Sequence, residues 1–97
     1  MIDPNTHHKM ATNLILRMIE QGSNVLTEKG SIMRIKNDDG IITGMGVFNS
    51  SGQKIFETIH TDKAVDLFIS VVGVFTAIGC GVNYFRHQKD KCRVINV

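Results

Sequence analysis

The side chains able to do chemistry fall into a few small groups. His60, Asp62 and Asp66 lie close together, and a histidine beside carboxylates can act as a general base. No nucleophile with an orienting third group accompanies them, so they read as the start of a helix rather than a reaction centre. His7 and His8 are adjacent; on a helix they would point about 100° apart, too far to grip one metal without other ligands. Asp38 and Asp39 before Gly40 lack the alternating acidic spacing and distal Glu of a calcium loop. Gly44 with Gly46, and Gly79 with Gly81, each supply a GxG but neither a third glycine nor a Walker lysine. No catalytic residue, metal ligand or cofactor is therefore expected. The remaining group is basic: Arg86, Lys89, Lys91 and Arg93, with His87 among them and Tyr84 and Phe85 before them, combine phosphate-contacting charges with rings that stack.

These residues belong to a chain of 97, enough for one core and too short for two. A hydrophobic content of 42% and a charged content of 21% are those of a globular domain. The net charge of +2 is too small to imply nucleic acid, but it is uneven. Residues 1–85 hold 7 basic and 8 acidic groups (7 − 8 = −1), whereas 86–97 hold 4 and 1 (4 − 1 = +3). Cys80 and Cys92 form neither a disulfide framework nor a zinc pattern and read as free thiols of a reducing compartment. The N-terminal residues lack the basic and apolar regions of a signal peptide. The expected location is the cytoplasm.

The elements that must position these residues follow from periodicity. Asp3 and Pro4 make a helix start and Gly22 a stop, with Met10, Ala11, Leu14, Ile15, Met18 and Ile19 on one stripe. From Asn24 to His60 the period becomes two. Ser31–Lys36 alternates Met33 and Ile35 against Arg34 and Lys36. Residues 37–40 turn the chain into Ile41–Phe48, and 49–52 turn it into Lys54–His60. Val25 and Leu26 read as a short extra edge strand, and Arg93–Val97 as another. Gly44 and Gly46 mark a bulge, or a place where a helix presses onto the sheet. The expected class is α+β, one domain over 1–97: a three-stranded antiparallel meander covered by two helices, order α-β-β-β-α, with a basic C-terminal tail at 86–97.

Thr61 and Asp62 cap the second helix, whose stretch Leu67–Phe85 carries no charge. That length nears the roughly 30 Å hydrocarbon core of a bilayer, so 67–85 reads either as a membrane span or as a core helix covered on all sides. A span would leave the basic flank inside and send the N-terminal part across, which favours the buried helix. Ser70, Gly73, Ala77, Cys80 and Gly81 form a face of low relief that another backbone can approach closely.

The functional expectation is a non-enzymatic protein-interaction module that self-associates through this apolar helix, as a homo-oligomer, with a further protein partner of unknown identity. The alternatives are a small nucleic-acid-binding module using the basic segment, and a membrane-tethered accessory protein spanning with 67–85. The order of elements is also that of the double-stranded RNA-binding domain, but the lysine-rich start of that family's second helix is missing here, where Lys63 stands between Asp62 and Asp66.

Overall fold

A computed structural model describes residues 3–86 and the strand 93–96. Helix α1 (Pro4–Glu20) starts as its sequence dictates: the Asp3 carboxylate accepts a hydrogen bond from the Thr6 amide at 3.0 Å, and Pro4 occupies the first turn. Ala11, Ile15, Met18 and Ile19 are its buried stripe. Gly22, at φ 91°, swings the chain into the sheet.

Four consecutive strands form an antiparallel meander: β1 (Ser23–Thr27), β2 (Gly30–Lys36), β3 (Ile42–Asn49) and β4 (Lys54–Thr58). The expected short strand at Val25 and Leu26 is thus a full member of the sheet. The two later hairpins use one device twice. Asn37 Oδ1 accepts from the amides of Asp39 and Ile41, and Asn49 Oδ1 from those of Ser51 and Gln53. Gly40 and Gly52 supply the positive φ that closes each turn. The strand expected to run to His60 ends at Thr58, and Ile59 lies beyond it, 76% exposed.

The expected single second helix is two. Helix α2 (Thr61–Val72) and helix α3 (Val74–Phe85) meet at Gly73 and are bent by 110°. Gly73 has φ 92° and ψ 149°, a conformation that residues with a Cβ rarely adopt. The cap differs as well: His60 is the N-cap of α2 and makes no side-chain capping bond. The bend explains how an all-round apolar run is covered. Ala64, Val65, Phe68, Ile69 and Val72 bury one stripe of α2, which lies on β2, β3 and β4. Ala77, Cys80 and Gly81 bury a different stripe of α3, which folds back along α1. Gly73→Ala should lower stability by about 1 to 3 kcal/mol through backbone strain alone, because a Cβ there would meet open space. A thermal melt measures it.

The layers are the sheet, then α1 and α2 on one face of it, with α3 packed on α1. A fifth strand, β5 (Arg93–Asn96), pairs antiparallel with β1, giving the order β4-β3-β2-β1-β5. The class is α+β as expected, with more elements: helix, four strands, two helices and a final strand.

The direction of the β2 side chains departs from simple polarity. Val25, Ile32 and Val47 are fully buried under the helices and share a register row. Arg34 projects to that same side. Its guanidinium donates to the carbonyls of Ile19 and Ser23, the latter at 2.9 Å, and so closes the C-terminal end of α1. Met33 and Ile35 therefore point away from the helices.

Candidate interaction surface

The expected chemical clusters come apart in space. Asp66 faces His8 of α1, with Nε2 to Oδ1 at 4.0 Å, while His60 sits at the cap of α2. Ser70, one turn on, donates its hydroxyl to the Asp66 backbone carbonyl at 3.1 Å. Phe56, Lys63, Asp66, Leu67 and Ser70 line an open cleft of about 360 Å³. Within it, that serine has its proton committed to the backbone rather than to a base. Among the described residues, no group of three or more His, Cys, Asp or Glu side chains could hold a metal ion. His7 packs its ring edge-on against Phe75, centroids 5.1 Å apart.

The residues expected to form an interface are placed in three ways. Ala77, Cys80 and Gly81 are buried, and Gly81 lies against α1 closely enough that a Cβ on it would sit 2.6 Å from Leu14 Cβ. The low-relief face is thus used inside the chain. Gly73 forms the bend, and Ser70 is exposed on α2. Cys80 is disulfide-bonded, which corrects the reading of a free thiol at this position; Cys92 lies outside the described residues. Two cysteines without zinc spacing leave it open whether they are oxidised, so the bond is not legible in the sequence. Val74, Ile78 and Phe85 of α3 pack against the core, and Arg17 stacks over the Phe85 ring at 4.4 Å. Phe75 is left out, 72% exposed. Among the described residues no single helix is long and apolar enough to cross a membrane; α2 and α3 together have the length and composition but are sharply bent.

A second apolar surface is on the sheet. Register places Leu26 and Ser31 opposite one another, Ser31 opposite Phe48, and Met33 opposite Gly46. Opposed residues share a face, and alternation puts Ile35 with Met33. Leu26, Met33, Ile35 and Phe48 thus stand on the side away from α1 and α2, each half-buried. Ile55, at the irregularity in the β3–β4 pairing, is 47% exposed. Gly46 is roofed by its neighbours: a Cβ there would meet Ile35 Cδ1 at 2.8 Å and Phe48 Cε1 at 3.0 Å. Side chains, rather than the helix expected to press on these glycines, explain Gly46. At Gly44 the expected bulge is present, since the β2–β3 register shifts between Ile35 and Lys36. Lys54 and Glu57 on β4 pair with each other at 2.7 Å.

Of the basic group, Arg86 is exposed just after α3 and Arg93 opens β5 opposite Leu26. Lys89 and Lys91 lie outside the described residues. The segment expected as a tail therefore includes a strand of the sheet. Comparison with protein-family models, with curated proteins and with solved structures finds no match to this chain.

Proposed function

We propose that the chain is a non-enzymatic protein-interaction module that docks through the open apolar face of its sheet. The observation that carries this reading is the placement of Leu26, Met33, Ile35 and Phe48 on the face without helices. Contiguous apolar patches of a few hundred Å² on a small domain mark binding surfaces, and the cores of interfaces favour aromatic residues and Met while excluding charge. This moves the docking surface from the apolar helix, whose Ala77, Cys80 and Gly81 are buried within the chain, to the sheet. The nucleic-acid and membrane-span readings have no comparable observation behind them. The disulfide at Cys80 favours an oxidising compartment over the cytoplasm.

Hydrophobic-dye fluorescence on dilute folded protein tests the reading. Wild type and Phe75→Lys should bind dye alike, and Ile35→Lys should lose most of the signal while keeping its fold. Dye binding that survives Ile35→Lys and vanishes in Phe75→Lys would move the surface to α3 and overturn the proposal.

A further inference from the structure

We infer that the disulfide partner of Cys80 is Cys92 of the same chain, and that their crosslink is a redox latch holding β5 on the edge of the sheet.

The chain has two cysteines, Cys80 and Cys92, and Cys80 is disulfide-bonded. Within one chain its sulfur therefore has a single candidate. A disulfide forms only where the two Cα atoms come within about 7 Å, and the described neighbours of the two cysteines converge on one strand. Tyr84 lies one helical turn after Cys80 on α3, and its phenol oxygen accepts a hydrogen bond from Ser23 Oγ at 3.3 Å. Ser23 opens β1, on which β5 pairs with Ser23 opposite Asn96 and Leu26 opposite Arg93. Arg93 follows Cys92 directly in sequence. The last turn of α3 and the first residue of β5 thus adjoin the same five-residue strand.

Pairing alone holds β5 weakly. It has four residues and ends the order β4-β3-β2-β1-β5, with β1 as its hydrogen-bonded neighbour. Each backbone hydrogen bond contributes little net stability, and short terminal segments are the first to open. A covalent bond immediately before Arg93 shortens the tether between α3 and β5 and so raises the effective concentration of the strand at its edge. With that bond cleaved, β5 leaves and the β1 groups it covered become an open edge, ready to pair with another extended chain.

A low-molecular-weight thiol opens the latch by exchange. One thiolate attacks a protein sulfur, forms a mixed disulfide and expels the other protein sulfur as a thiolate, which takes up a proton. A second thiolate attacks the mixed disulfide, expels the remaining protein thiolate and leaves as the small-molecule disulfide. The crosslink gains the two electrons that the pair of thiols loses. Cys80 is 4% exposed, so the exchange waits on local opening.

The pairing is read by tryptic digestion of oxidised wild type without reductant. Cleavage after Lys63, Arg86, Lys91 and Arg93 should release residues 64–86 joined to residues 92–93, from protein whose intact mass is that of one chain, 10.8 kDa. A crosslinked species of twice that mass would put the partner sulfur in another copy and overturn the inference.

The latch is read by backbone NOEs in the same protein, oxidised and then held reduced. Cross-strand NOEs between Asn24 and Ile95 and between Leu26 and Arg93 should fall about tenfold or more on reduction, as β5 becomes a minor paired state. Those between Met33 and Gly46 on β2 and β3 should persist. Cys92→Ser should match the reduced wild type; if it fails to fold, the digest and the reduced wild type still decide. β1–β5 NOEs that survive reduction would show that pairing alone holds the strand. Loss of the β2–β3 NOEs along with them would make the crosslink a brace for the whole domain, and either result overturns the latch.

Discussion

Gly81→Leu should separate α3 from α1 and lower stability by about 3 kcal/mol, the upper part of the usual range for overpacking. A Cβ at this position would sit 2.6 Å from Leu14 Cβ and 3.2 Å from two further Leu14 carbons. Leu14 Cβ is fixed to its backbone, so no rotamer change relieves the contact, and one helix must move. In a domain of this size each 1 kcal/mol shifts the melting temperature by roughly 4 to 8 °C, so the drop is easily measured. Gly81→Ala should also destabilise, although alanine is the better helix former by about 1 kcal/mol. Gly79, in the same helix, supplies the control: a Cβ there meets nothing within 4 Å. Gly79→Ala should therefore raise the melting temperature, and equal responses at the two positions would show that α3 does not pack on α1 as described.

Reduction of the disulfide at Cys80 should cost about 2 to 5 kcal/mol, the usual effect of opening a native crosslink in a small domain. Cys80 is 4% exposed, on the stripe of α3 that faces α1, so reductant reaches it only when the structure opens locally. Its loss should be slow in native buffer and fast in mild denaturant. Cys80→Ala, which removes the crosslink without a buried hydroxyl, should melt with the fully reduced wild type and well below the oxidised form. Coincident melts of oxidised and reduced protein would show that the crosslink constrains nothing.

Local chemistry made much of the fold legible in the sequence. Asp3 with Pro4 and the paired turns from Asn37 to Gly40 and from Asn49 to Gly52 are decided by residues within one turn of each other, and each forms where its sequence places it. The break at Gly73 was not legible. Val71, Val72, Val74 and Phe75 around it carry no turn signal, and glycines at 79 and 81 continue the helix while this one ends it. What decides is tertiary: a run apolar on all sides cannot be covered by one sheet, and bending gives each half its own partner.

The candidate surface was half legible. The alternation of Met33 and Ile35 against Arg34 and Lys36 is plain in the sequence, but alternation does not say which face meets the helices. Ile32 takes the core position, and Arg34 turns inward because the carbonyls at the end of α1 need donors. Only the three-dimensional position of that helix end reveals why a cation belongs on the covered side and two apolar residues on the open one.

Dye fluorescence on dilute folded protein reads the open sheet face most directly. Ile35→Lys, on the face shared by Leu26, Met33 and Phe48, should lose most of the wild-type signal while keeping its fold. A signal that survives Ile35→Lys and vanishes in Phe75→Lys, the substitution of the 72% exposed ring on α3, would contradict the docking reading.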